Sequence, residues 1–433
     1  MAEILPIKPW RYHPGLAGRV EDLTAPLFDV VSEKQRQSLY QNPYNSIHLT
    51  VPPSADAAAN LLAEWKKNGV IVQDPLPAIY VYYQHFKISG DPKSYCRKGF
   101  ICHVRVYDWN EGVILRHENT IPVAVNDREE LLEKTELHSS ATHGLYTDPS
   151  FTLEPYMDEA MTNPILETED YQGVRDALAV IHDAEVISKF IAVIGDKSII
   201  LADGHHRYEG SLQYKRKMLT KYPNDTRRGF NYHLMFLTNT ESDDLKILPT
   251  HRVIRNLPHF DEDRITESLK EYFEIKPVDD IHTLNEVIAG KKWAFGIMMK
   301  DRCFKVRLKP DSIEKLDWPF PDLIKQLDLT VLHYFIIEKA LGIPGKQQRA
   351  SRHIDFDRSY ADCMKRILEG EAQMAIITNE VTIDEVKAVC RSGYTMPQKS
   401  TYFYPKVIGG FLFTSIKDEE FAEPVYSPFY HGA

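Results

Sequence analysis

An apolar run, Ile199-Ile200-Leu201, breaks off into Asp203-Gly204-His205-His206-Arg207, and a helical pattern begins at Tyr208. This stretch constrains the fold more than any other. It requires a strand that delivers a dense polar cluster to a turn, with a helix N-terminus directly behind it. Gly204 supplies the backbone freedom for the turn and for close approach to a ligand. The first amides of the following helix are unpaired donors aimed at the same place. Arg207 adds a planar cationic fork suited to phosphate or carboxylate. Asp203, His205 and His206 supply groups that move protons or bind a cation near neutral pH. The residues therefore predict an anion site with acid/base groups beside it. A surface turn built on the Asp-Gly dipeptide is the structural alternative.

Three further polar knots use a similar inventory. Arg116-His117-Glu118-Asn119-Thr120 follows the apolar strand end Val113-Ile114-Leu115, where loop residues meet ligands. Pro249-Thr250-His251-Arg252 pairs an imidazole with a guanidinium after a strand, although Pro-Thr is also a usual helix start. Gln398-Lys399-Ser400-Thr401 offers a lysine flanked by hydroxyls without the spacing of a P-loop. Asp29 ends an apolar stretch and reads first as the cap of a helix starting near Ser32, with a ligand role as the alternative. Such groups, if convergent, suit phosphoryl transfer or hydrolysis, in which cations neutralise phosphate and a carboxylate or imidazole moves the proton. Hydride transfer and serine-hydrolase chemistry lack their fingerprints, since neither G-x-G-x-x-G after a strand nor G-x-S-x-G occurs.

Composition narrows the class. With 433 residues, 43% hydrophobic and 26% charged, the chain is long enough for two or three lobes with large cores. A formal net charge of −10 gives no basic footprint for nucleic acid, and Lys215-Arg216-Lys217 reads as the solvated face of a helix. Five scattered cysteines form no Cys-x-x-Cys pair, so neither a disulfide framework nor a zinc site is expected. No signal-peptide pattern opens the sequence, and no run reaches the roughly 18 apolar residues of a membrane span, so a cytoplasmic protein without membrane contact is expected.

The pattern predicts an α+β fold in two lobes, residues 1–256 with the Asp-Gly-His-His-Arg turn and residues 257–433 as a second α+β lobe. Helices are expected over 32–41, 56–68, 127–137 and 208–221, and paired strands over 78–88 and 99–109. Residues 46–51, 178–183, 187–194, 197–201 and 231–239 read as further strands, with Gly195-Asp196 as a hairpin turn.

These residues also carry a resemblance. Ile7-Lys8-Pro9-Trp10, Ala25-Pro26 with Phe28-Asp29-Val30, Arg116-His117-Glu118 with Thr120, Ala202 to Tyr208, Leu248 to Arg252 and Met396 to Lys406 together resemble a large prokaryotic family catalogued as domain of unknown function 1015. Leu27-Phe28 departs from the Pro-Tyr expected there. The strand followed by Asp-Gly-His-His-Arg is also similar to the phosphate-binding turn of the ParB/sulfiredoxin superfamily, which includes nucleotide-binding partition proteins, ATP-using sulfiredoxins and kinases of free serine. That resemblance implies a ParB/sulfiredoxin-like core in the first lobe, with Gly204, His205, His206 and Arg207 holding nucleotide phosphates.

The leading expectation is a kinase that uses ATP or ADP with magnesium to phosphorylate free serine or a similar small hydroxy metabolite. Asp203 or Glu118 would act as base or hold magnesium. His205, His206 and Arg252 would offset charge developing in transfer, Arg116 and His251 would join the nucleotide-binding residues, and Lys399 would reach the same cleft from the second lobe. Two alternatives are a non-catalytic nucleotide-dependent switch or partner-binding protein, and a metal-dependent phosphohydrolase with His117, Glu118, His205 and His206 as ligands.

Overall fold

Alternating Tyr, Val and Ile residues build the first sheet. The computed structural model describes residues 1–421 except Tyr171 and Gln398, so Gln398 of the fourth knot lies outside the described residues. The chain divides into two compact units, Met1–Lys246 together with the chain from Pro405 onward, and Ile247–Tyr404. The expected lobe boundary after residue 256 therefore falls several residues late, and the last stretch of the expected second lobe belongs to the first unit. Its apolar side chains pack on the first sheet, a long-range pairing that no local pattern encodes.

The first unit is an α+β body around a mixed nine-stranded sheet. Its strands are β1 (Ile4–Leu5), β2 (Ile79–Lys87), β3 (Ser94–Arg105), β4 (Ile114–Arg116), β5 (Thr142–Tyr146), β6 (Leu166–Glu169), β7 (Arg175–Ile181), β8 (Ile199–Asp203) and β9 (Tyr232–Asn239). The order is β4-β8-β5-β9-β3-β2-β7-β6, with β1 beside β3. Pairs β4/β8 and β5/β9 are parallel. The expected pairing of residues 78–88 with 99–109 is present as the antiparallel ladder Tyr80↔Ile101 to Lys87↔Ser94.

Helices α1 (Pro122–Thr135), α2 (Glu154–Ala160), α3 (Ala184–Gly195) and α4 (His205–Lys221) accompany this sheet. Ile187, Phe190 and Ile194 of α3 and Tyr208 and Leu212 of α4 share one buried core with Phe100, Leu201 and Leu237. On the opposite face, Val407, Ile408, Phe411 and Leu412 pack against Tyr80, Tyr82, Leu234 and Phe236. Burying four such side chains is worth about 6–12 kcal/mol before ordering costs, so the terminal strap is an integral layer.

Two expected strands are helices. Residues 187–194 lie inside α3, where the Asp183 side chain accepts from the Glu185 and Val186 amides and so caps the helix. The β-branched composition suggested a strand, but Ile187, Phe190 and Ile194 recur at helical spacing and that face is buried. Gly195-Asp196 consequently leads from a helix into β8 and is not a hairpin turn. Within 46–51, Ile47–Thr50 form a helical turn, with Ile47 and Leu49 buried.

The second unit carries a six-stranded sheet and its own core, which includes Phe295, Ile297, Phe335 and Ile376. Its ladders are antiparallel, and β10 (His251–Ile254) lies inside the sheet between Ile354–Asp357 and Met374–Ile377. Leu332–Ala340 forms a π-helix.

Candidate functional site

The strand–turn–helix read from the sequence is present. β8 ends at Asp203, Gly204 takes a left-handed conformation (φ +89°), and α4 begins at His205 and runs for 17 residues. The N-cap residue is Gly204, which brings no side chain to close the start of α4. Glycine is required at the turn for two reasons. The backbone angle is one that L side chains rarely adopt, and a Cβ would lie 2.5 Å from Thr142 Cγ2 and 2.8 Å from Arg207 Nη2.

Asp203 sits opposite His143 of β5, after a register shift that follows Leu201. Its carboxylate is buried and held by two cations. Lys406 Nζ donates to Oδ1, and Arg207 Nη2 lies 3.4 Å from Oδ2. Burial alone would raise the proton affinity of this carboxyl. The adjacent Lys406 and Arg207 charges outweigh it and hold the group well below the usual carboxylate range.

Arg207 was expected to offer its fork to a ligand. Instead the side chain is buried and turned back onto the protein, with Nη1 donating to Ser140 Oγ at 3.1 Å and to the Ala141 carbonyl at 2.7 Å. Burial works against its charge, while Asp203 and Asp29 favour it. Asp29 does not cap the helix Glu33–Leu39, because Ser32 does so by accepting from the Gln35 amide. Asp29 is exposed, and its negative charge acts on Arg207.

The two expected knots of the first unit come together through the parallel pair β4/β8. His117 and His205 are both buried, with ring centroids 4.9 Å apart in an edge-to-face arrangement. Burial pushes His117 down to about 4 and His205 well below its ordinary value, so both rings are neutral at pH 7. Among the described residues His205 Nε2 has no hydrogen-bond partner although it is buried. His206 Nε2 accepts from the Ile121 amide at 3.0 Å and meets the Phe28 ring edge-on. Arg116 lies over Trp109, with Nη1 3.9 Å from Glu209 Oε2, and Glu118 is half-buried in the loop beyond β4. Among the described residues no group of three or more His, Cys, Asp or Glu is placed to hold a metal ion.

The third and fourth knots belong to the second unit. His251 and Arg252 are strand residues with buried side chains, not members of a ligand-facing loop. The His251 ring accepts from the Thr378 amide at 3.2 Å, and burial brings it down to about 4. Arg252 donates to the Thr250 carbonyl and, at 3.3 Å, to His333. The Lys399 carbonyl lies 3.5 Å from Arg252 Nη2.

Lys406 was missed. It closes the Met396 to Lys406 stretch, but neighbouring aromatic residues suggested a packing strand. Its placement depends on a clamp on the sheet. Arg97 Nη2 donates to the Pro405 carbonyl at 2.5 Å, and Gln84 Nε2 donates to the Lys406 carbonyl at 3.1 Å. Arg97 and Gln84 face each other across β3 and β2, and Asp176 of β7 follows in the same row.

No helix among the described residues is long and apolar enough to cross a membrane. No curated protein matches the chain. Solved structures with a similar course include a free serine kinase in complex with AMP, at 13% identity and TM-score 0.39 over 74% of this chain and 92% of that one. A conserved hypothetical protein from Pyrococcus furiosus is 12% identical, with TM-score 0.37 over 73% and 95% of the two chains. SbnI from Staphylococcus aureus, with a C-terminal truncation, is 10% identical, with TM-score 0.34 over 71% and 85%. The family model described as protein of unknown function DUF1015 matches residues 4–330, and the chain belongs to that family.

Proposed function

We propose that the first unit is a nucleotide-dependent phosphotransferase that phosphorylates the hydroxyl of a small metabolite, with free serine as the first substrate to test. The observation that carries this reading is the ionised Asp203 between Lys406 and Arg207, beside the glycine-led start of α4. Phosphoryl transfer needs positioning and charge neutralisation more than covalent chemistry from the protein. Amides at the start of α4 would bind phosphate oxygens. Lys406 would move between Asp203 and the incoming phosphate, keeping the buried charges balanced.

In the transfer, the metabolite hydroxyl oxygen bonds to the terminal phosphorus and the bond to the nucleotide leaving oxygen breaks. The hydroxyl proton passes to a carboxylate. Asp203 is a poor acceptor because its cations depress its proton affinity, so Glu118 takes that role. Neutral His117 and His205 would donate hydrogen bonds toward the transferring group. Both Asp203 oxygens are engaged by cations, so a protein-held magnesium does not fit at this carboxylate. The metal-dependent phosphohydrolase reading has no donor cluster to support it among the described residues.

Incubating the chain with ATP or ADP, magnesium and a panel of hydroxy metabolites, followed by phosphorus NMR, tests the reading. A phosphomonoester with equimolar loss of nucleotide is expected. Nucleotide binding without turnover on any compound would instead indicate a nucleotide-dependent switch.

A further inference from the structure

Beside Arg207, between α1 and α4, lies a small cavity. Its lining includes Arg128, Ser139, Ser140, Arg207, Ser211 and His233, and none of its lining residues is an Asp or Glu. Its volume is about 40 Å³. A water needs roughly 10–15 Å³, so the space admits one small oxyanion group. Ser211 Oγ is 2.7 Å from His233 Nδ1, and His233 Nε2 is 3.1 Å from Thr142 Oγ1, which fixes the ring with both nitrogens in contact. Arg207 Nε is buried and has no hydrogen-bond partner among the described residues. Arg128 anchors through Nη1 on the Thr50 carbonyl at 2.7 Å and pairs with Asp127. Its charge and that of Arg207 oppose each other.

We propose that this cavity is an oxyanion site, separate from the start of α4, which takes a small carboxylate or a phosphate. Two arginines, three serines and the absence of Asp or Glu among the lining residues make a donor-rich wall, the chemistry that recognises an oxyanion. An anion there offsets the mutual repulsion of Arg128 and Arg207 and gives the buried Nε–H an acceptor. The site does not depend on phosphoryl transfer, since Arg207 meets Asp203 through Nη2 and the cavity-lining Ser140 through Nη1.

Calorimetric titration of the full chain with inorganic phosphate, and separately with acetate, tests this, each with and without saturating ADP. One of the two anions is expected to bind, with affinity changed less than about twofold by ADP. Whichever binds identifies the source as phosphate or carboxylate. Arg128→Gln is expected to weaken that binding about tenfold, and Ser211→Leu, which fills the cavity, to abolish it. If Ser211→Leu does not fold, Ser211→Ala is expected to weaken binding about threefold. Displacement by ADP, unchanged binding in Arg128→Gln, or no binding of either anion would overturn the proposal. Failure of ADP to bind would instead overturn the nucleotide reading and leave the anion titrations intact.

Discussion

Replacing Lys406 by methionine removes one of two cations from a buried carboxylate while keeping the aliphatic stem. Both side chains are nearly buried, at 11% and 12% exposure. Breaking a buried pair by removing one partner costs about 3–5 kcal/mol. Arg207 remains 3.4 Å from Asp203 in the variant, so the lower end, about 3 kcal/mol at pH 7, is expected. For a unit of this size that lowers Tm by roughly 6–12 °C. The pH dependence separates this cause from loss of packing. In the native chain the Asp203 carboxyl is depressed below its unfolded value of about 3.9, so its stabilisation is present above that pH and is lost as pH falls through the folded value. Without Lys406, burial dominates and the folded value rises. The variant then favours the neutral carboxyl, so its deficit shrinks as acid protonates Asp203. Urea denaturation of both chains from pH 4 to 7.5 measures the gap. Adding Asp203→Asn to the variant should recover most of the loss at pH 7. A gap under about 1 kcal/mol, or one of equal size at pH 4 and pH 7, would show that Lys406 does not neutralise a buried charge.

Gly204→Ala should destabilise the first unit by about 2–4 kcal/mol, because it adds a left-handed residue and a clash with Thr142; chemical denaturation reads this, and a loss below about 0.5 kcal/mol would contradict the turn geometry. His117 should remain neutral down to about pH 4, and the unfolded chain takes up a proton near 6.5 that the folded one refuses, so this group lowers stability as pH falls from about 6.5 toward 4. An NMR titration with a midpoint above 6 would refute its burial. Ser32→Ala should cost about 1 kcal/mol by removing the helix cap, whereas Asp29→Asn should stay within about 0.5 kcal/mol; the reverse order in thermal melts would restore Asp29 as the cap. Arg252→Met should destabilise the second unit by about 2–3 kcal/mol through the acceptors it leaves behind, and a neutral result would show that the Thr250 carbonyl and His333 need no donor.

The turn at Gly204 was legible because several local signals agree there. An apolar run ends, a glycine follows a carboxylate, and helical spacing begins, each within a few residues. The meeting of His117 with His205 was suggested only by shared chemistry. It arises from the parallel pairing of β4 with β8, which a sequence read segment by segment does not contain. Local patterning also failed at α3, where Val and Ile suggested a strand although Asp183 and the spacing of Ile187, Phe190 and Ile194 specify a helix. Lys406 was hidden for another reason. Its partner lies some two hundred positions earlier, and the carbonyl clamps from Arg97 and Gln84 involve side chains whose targets are backbone atoms of any residue type. Arg207 shows the converse limit, since the residue was singled out correctly but the direction of its fork depends on Ser140 and Ala141 across the sheet.

The clamp at Pro405 and Lys406 has a consequence for biosynthesis. During synthesis the ribosome makes β8 and α4, then the whole of the second unit, and only afterwards the residue that balances Asp203. Until the strap arrives, the nascent sheet carries an uncovered apolar face and a carboxylate lacking one of its two cations. Closure of the first unit is therefore a late, high-contact-order step, reached only after Ile247–Tyr404 has been made. Chains interrupted inside the second unit cannot assemble the proposed site, so closure after Lys406 has been made decides whether that site forms.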